Sequence, residues 1–145
     1  MEYQVISAAD APDSSLKHSI ADFLFVHLDA FGDAKEDIMK CLEYAFSDSD
    51  AKGGFVLLAR EAGEIVGAVV INRTGMEGFI PENILVYIAV HQNQRGKGLG
   101  KLLMERAIAT AQGSIALHVE PNNPAKRLYE RLGFTNKYLE MRLQR

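Results

Sequence analysis

Residues 84–101 read Ile84-Leu85-Val86-Tyr87-Ile88-Ala89-Val90-His91-Gln92-Asn93-Gln94-Arg95-Gly96-Lys97-Gly98-Leu99-Gly100-Lys101, and the order of chemistry in that stretch decides the fold. Its first seven residues are apolar without a polar break, the pattern of a strand buried on both faces, so it belongs inside a sheet. The helix expected from about Gly98 to Gln112 places Leu99, Leu103, Ala107 and Ala111 on one stripe, widened by Met104 and Ile108. Lys101, Glu105 and Gln112 fall on its other side. A short strand, Ile115–Val119, comes next. Strand, helix and strand in that order require parallel pairing with a right-handed crossover.

The glycine loop therefore lies between the end of an interior strand and the start of a helix. First-turn amides have no partner within a helix, and the macrodipole puts partial positive charge there. Gly96, Gly98 and Gly100 let a ligand approach the backbone, and Arg95, Lys97 and Lys101 surround the same point with cations. Such a junction is a cradle for a diphosphate. The Walker pattern fails, because only three residues separate Gly96 from Gly100 and Leu102 follows Lys101. The dinucleotide fingerprint fits better: Gly96 and Gly98 match, and Glu120 follows at the expected distance. Against it, Lys101 occupies the third glycine position and five residues, His91–Arg95, separate strand from loop.

Outward towards the N-terminus, Tyr3–Ser7 reads as a strand. Two helices follow, over about 15–28 and 35–46, then a hairpin of Phe55–Arg60 and Ile65–Asn72 around Glu61-Ala62-Gly63-Glu64. Towards the C-terminus, Asn122-Asn123-Pro124 opens a compact helix that ends at Leu132 before Gly133, with Asn123 as its N-cap. Phe134–Leu143 supplies the last strand. The expected fold is an α/β single domain over residues 1–145, a mixed sheet with helices on both faces.

Composition narrows the function. The 145 residues are 48% hydrophobic and 24% charged, ordinary for a globular domain. Sixteen basic and 19 acidic side chains give a net charge of −3 and a sequence pI near 5.8, so the chain lacks the basic field of a general nucleic-acid binder. No apolar run approaches the roughly 20 residues that cross a bilayer, and the first residues do not read as a signal peptide. One cysteine, Cys41, makes no internal disulfide and reads as a small buried hydrophobe. A cytoplasmic protein binding neither nucleic acid nor membrane is the expectation.

Two segments together resemble the GCN5-related N-acetyltransferases. Arg95-x-x-Gly98-x-Gly100 matches that family's Gln/Arg-x-x-Gly-x-Gly/Ala signature. Asn122-x-x-Ala125-x-x-Leu128-Tyr129-Glu130-x-x-Gly133-Phe134 is similar to the second half of its acetyl-coenzyme A site. The resemblance implies the acyl-CoA N-acyltransferase fold: a mostly antiparallel sheet whose fourth and fifth strands are parallel and splayed. It also implies acetyl-coenzyme A as co-substrate, no metal, and transfer to a primary amine of a small molecule or protein through a tetrahedral intermediate.

The same resemblance assigns roles. Backbone amides of Gly96, Lys97, Gly98, Leu99 and Gly100, with Arg95, would hold the pyrophosphate. A strand bulge at Ile88, Ala89 and Val90 would turn the Ile88 amide towards the thioester carbonyl, and Val90 would pair with the pantetheine arm. Asn122 matches a coenzyme-contacting asparagine. Tyr129 would donate a proton to the leaving thiolate; by spacing alone it is an ordinary core position. The proline and aromatic that relatives often carry before the loop are absent from His91–Gln94.

No base is singled out: Glu77, Glu82, His118, Glu120 and water all remain. The acceptor pocket is expected from about Phe23–Phe46 and Thr74–Asn83. There Asp29, Asp33, Glu36 and Asp37 read first as a solvated helix corner and second as an acidic mouth for a cationic amine. The short tail suggests a homodimer that completes the sheet edge. A non-catalytic acyl-coenzyme A sensor and a dinucleotide enzyme are the competing readings.

Overall fold

A computed structural model describes residues 1–145, all of the chain. Five strands form one sheet in sequence order: β1 (Glu2–Ile6), β2 (Gly54–Glu61), β3 (Glu64–Arg73), β4 (Asn83–Val90) and β5 (Ile115–Leu117). All neighbours are antiparallel except β4 and β5. The parallel pair is joined by the helix α3 (Leu99–Thr110), as the crossover argument requires.

Helices α1 (Ser14–His27) and α2 (Lys35–Ala45) cover one face; α3 and α4 (Ala125–Arg131) cover the other. Helix α1 starts because the Asp13 side chain accepts the Leu16 amide at 2.8 Å. It buries Ile20, Ala21, Phe23 and Leu24, and α2 adds Ile38, Leu42 and Ala45 at i, i+4 and i+7. On the far face Leu99, Leu103, Met104 and Ala107 pack on the sheet with Tyr129 of α4. Two apolar layers thus share one sheet, and β4 contributes to both.

The splay comes from the pairing. β4 meets β5 only at Asn83, Ile84 and Leu85; from Val86 onward its outer edge has no strand beside it. The bulge lies at Val86, not at Ile88–Val90 as expected: Ile71 pairs with Leu85 and Val70 with Tyr87, leaving Val86 unmatched. The extra residue puts Val86 and Tyr87 on the same face, towards α1 and α2, while Leu85 and Ile88 point at the other core.

The last expected strand is absent. Residues 135–145 form no regular structure, and Tyr138, Leu139, Met141 and Leu143 stand exposed. A β5 edge of three residues offers too few ladder bonds to offset the roughly 1–2 kcal/mol per residue needed to order a longer strand. β5 also stops at Leu117 rather than Val119, so His118 and Glu120 lie beyond the sheet.

Candidate active site

The loop between β4 and α3 begins with a 3-10 turn, Gln92–Gln94, in which His91 Nδ1 accepts the Asn93 amide at 3.1 Å. Gly96 and Gly98 then adopt φ of +77° and +83°, and a Cβ built at either would meet no atom within 4 Å. Gly98 is the N-cap of α3, and the first amide to find a helical acceptor is Leu102, on Gly98 O at 3.1 Å. Six consecutive amides, Gly96 to Lys101, have no acceptor within the chain. They open into space at the positive end of a helix, with Lys97 and Lys101 beside them. Leu99 contributes its backbone alone, because its side chain is buried in the core.

Arg95 is placed differently from the other loop cations. Its Nη2 donates to His27 O at 2.8 Å and its Nε to Val90 O at 3.2 Å, so the guanidinium ties the end of α1 to the end of β4. Its side chain is exposed beside the loop amides while making both bonds. His27 stacks on His91 with ring centroids 4.3 Å apart. Burial above all, then the neighbouring His91 and Arg95, lowers the pKa of His27.

The open edge of β4 presents its own amides. His91 N–H donates to Val66 O at 2.8 Å, so the odd-numbered residues after the bulge pair with β3. Backbone groups alternate sides along a strand, hence those of Ile88 and Val90 face the gap left by β5. Val90 O is partly engaged by Arg95; the two N–H groups are free.

Tyr129 stands on α4 with 7% of its surface exposed and packs edge-on against Phe134 at 6.1 Å. Its hydroxyl makes no hydrogen bond within the chain, and burial pushes its pKa up to about 12. Pro124, not Asn123, is the N-cap of α4; Asn123 Oδ1 accepts the Ala125 amide at 2.9 Å one residue ahead of it, whereas the Asn122 side chain is exposed and unpaired.

The base candidates divide by position. Glu82 accepts the Ser114 amide at 2.7 Å and the Gly78 amide at 3.1 Å, clamping the 74–82 loop onto the start of β5. Those bonds hold its pKa below the usual carboxylate range. It lies where β4 and β5 are still paired, and Glu77 belongs to the same loop. The Thr74–Asn83 segment therefore sits at the end where β4 and β5 are paired. His118 and Glu120, by contrast, border a cavity of about 210 Å³ with Asp33, between the α1–α2 connection and the segment after β5. Cys41 is partly buried beside Asn72, its thiol pushed up to about 11 by burial, and carries no nucleophile. No cluster of His, Cys, Asp or Glu has the makings of a metal site.

Sequence reasoning missed the bond from the Tyr87 hydroxyl to Asp33 Oδ2, at 2.5 Å. The only trace was a tyrosine inside an otherwise aliphatic strand. The profile of the acetyltransferase (GNAT) family matches residues 18–134, most of the chain and every element just described except β1 and the first turn of α1.

The chain belongs to the acetyltransferase (GNAT) family. A relative, the 5-NmdU N-acetyltransferase of Pseudomonas phage PaMx11, is 36% identical over 91 residues, which span 61% of this chain and 63% of the phage protein. Among solved structures, an aminoglycoside antibiotic 6'-N-acetyltransferase from Acinetobacter haemolyticus superposes with a TM-score of 0.70 at 14% identity, covering 100% of this chain and 98% of that one. Ribosomal-protein-alanine N-acetyltransferase from Brucella melitensis biovar Abortus 2308 gives 0.65 at 21% identity, covering 99% and 98%. At these identities the two structures establish a common GNAT fold.

Proposed function

We propose that this chain is one N-acetyltransferase domain that moves the acetyl group of acetyl-coenzyme A to a primary amine of a small molecule or protein. The observation that carries the reading is the row of six unpaired amides at Gly96–Lys101, beside a strand edge opened past Leu85. A doubly anionic pyrophosphate fits that row, and no side chain is in its way at Gly96 or Gly98. Family membership and the phage N-acetyltransferase support N-acylation.

The chain's residues then act in a fixed order along the gap. Amides of Gly96 to Gly100, with Lys97, bind the pyrophosphate, and the exposed Asn122 reaches the coenzyme. The Val90 N–H pairs with the pantetheine arm. The Ile88 N–H points at the thioester carbonyl and stabilises negative charge that develops there when the amine attacks; one such donor is worth about 2.7–4 kcal/mol. Tyr129, protonated at neutral pH and free of other hydrogen bonds, gives its proton to the departing sulfur, and the proton that the amine nitrogen sheds returns to the phenol through water.

Two finer readings accompany the reaction. A cytoplasmic location suits a coenzyme A enzyme, and no helix is long and apolar enough to cross a membrane. A homodimer is supported by the exposed Leu139, Met141 and Leu143, which alternate as a strand would, and by the free outer edge of β5.

Thermal shift with acetyl-coenzyme A, coenzyme A and NAD tests the reading. Either coenzyme A ligand at about 100 times its Kd should stabilise the fold by roughly 2.7 kcal/mol, and NAD should do nothing. A response to NAD alone would end the acetyltransferase account. Binding without thiol release across a panel of amines would favour the sensor.

A further inference from the structure

The two sets of amides assigned to the donor are joined through one histidine. Val90 turns its backbone to the gap at the end of β4, Gly96 begins the row of unpaired amides, and His91 opens the turn between them. Its own N–H donates to Val66 O at 2.8 Å, and its carbonyl accepts the Gln94 amide at 2.8 Å. Its Nδ1 accepts the Asn93 amide at 3.1 Å, so the ring itself closes the turn. An amide donates only to a ring nitrogen that carries no proton, and this bond therefore exists only while His91 is neutral.

The surroundings disfavour a charge. The His91 ring rests on His27 with centroids 4.3 Å apart, and His27 rests in turn on Phe23 at 4.6 Å. His27 Nδ1 is buried without a partner, so a proton placed there would be an unsatisfied donor. From the loop, the charged group beside the two rings is Arg95, held by His27 O and Val90 O. From the hairpin, Glu61 accepts Gln94 Nε2 at 2.6 Å and holds the other end of the turn. Neither ring forms an ion pair with a carboxylate. A proton on His91 removes the acceptor of the Asn93 amide and adds a second positive charge beside Arg95.

We infer that neutral His91, seated on His27, is the positioning residue that keeps the Gly96–Lys101 amides in register with the Val90 edge, and that its protonation loosens acetyl-coenzyme A. The inference rests on the acetyltransferase reading and goes beyond it by making donor affinity depend on pH. Histidine exchanges its proton between about pH 5 and 8. Because the donor binds best to the unprotonated form, affinity falls as pH falls through that range. A histidine acting only through its charge would do the reverse, since an imidazolium attracts a pyrophosphate.

Calorimetric titration of the full chain with 3′-dephospho-coenzyme A tests this. That probe keeps the ionised pyrophosphate and lacks the phosphate monoester, which would itself titrate near about pH 6. The wild type should bind about fivefold more weakly at about pH 5 than at about pH 8. His91→Asn offers a side-chain carbonyl to the amide two residues on and removes the titration. It should match the wild type at about pH 8 and change by less than about twofold over the range. His91→Ala, which has no acceptor, should bind about fivefold more weakly throughout. In 15N spectra of the same proteins, the Asn93 amide should follow the titration in the wild type alone, and the spectra report that each protein is folded at both pH values.

Wild-type affinity that holds steady or tightens towards acid, or a His91→Asn variant that keeps the wild-type decline, overturns the inference and leaves the acetyltransferase reading standing. Failure of the wild type to bind the probe at about pH 8 removes that reading and this inference with it.

Discussion

Arg95 Nη2 lies 2.8 Å from His27 O, and through this bond the glycine loop ahead of α3 is anchored to the last turn of α1. A helix C-terminus leaves carbonyls unpaired and partially negative, so a guanidinium there satisfies both a hydrogen bond and the dipole. The second bond, to Val90 O, holds the end of the open strand in the same clasp. Arg95→Ala should lower stability by about 1 kcal/mol in urea denaturation. Its effect on acetyl-coenzyme A affinity should be indirect and less dependent on salt than that of Lys97→Ala. An Arg95→Ala variant of full stability, with affinity lost in a strongly salt-dependent way, would return the side chain to the phosphate.

Tyr129→Phe separates packing from chemistry. The ring keeps its place in the core against Phe134, so the melting temperature and acetyl-coenzyme A affinity should hold. Turnover should fall by about 10²-fold, the lower range for losing a general acid. Because burial lifts the phenol to about 12, the wild-type rate should show no alkaline decline from this group below about pH 11. Unchanged kcat in the phenylalanine variant would remove Tyr129 from the reaction.

Glu82 makes the opposite prediction, for stability without activity. Its carboxylate accepts two amides, Ser114 and Gly78, which lower its pKa in the folded chain relative to 4.5 in the unfolded one. A depressed folded pKa means stability that is fully present above the unfolded value and lost as pH falls through the folded one. Glu82→Gln should therefore melt below wild type at pH 7, with the difference shrinking as pH drops under about 4. Its turnover should match wild type; a large loss of kcat at full stability would restore Glu82 as a candidate base.

Much of this was legible because local chemistry and tertiary role coincide. The apolar run Ile84–Val90 lies inside the sheet, Leu99–Ala107 buries its stripe, and the unpaired amides occur where glycines and a helix start meet. Features set by pairing were less visible. A bulge is a property of two strands, and nothing in Val86 itself marks it as the unmatched residue. The tail after Phe134 has alternating apolar residues, but a strand needs an edge to pair with, and the three residues of β5 supply little. Arg95 matched a signature, yet which acceptors its guanidinium reaches depends on the end of a helix 68 positions away. The Tyr87–Asp33 contact spans 54 positions, and its one local trace is a tyrosine within an aliphatic strand.

Gly98→Ala tests the conformation of the cradle. With φ at +83°, alanine there is strained by about 1–2 kcal/mol, and its methyl would project into the space in front of the amides. The variant should unfold earlier in urea, and acetyl-coenzyme A should bind at least about tenfold more weakly even under conditions where the fold is complete. Affinity equal to wild type would mean that nothing binds in front of this residue.

The account stands most directly on where the acyl donor sits. Titrating acetyl-coenzyme A into the 15N-labelled chain should move the amide resonances of Gly96 through Lys101 furthest, with Ile88 and Val90 following as the pantetheine arm enters the gap. Saturable binding that leaves those eight amides in place, with the shifts clustered elsewhere, would contradict it.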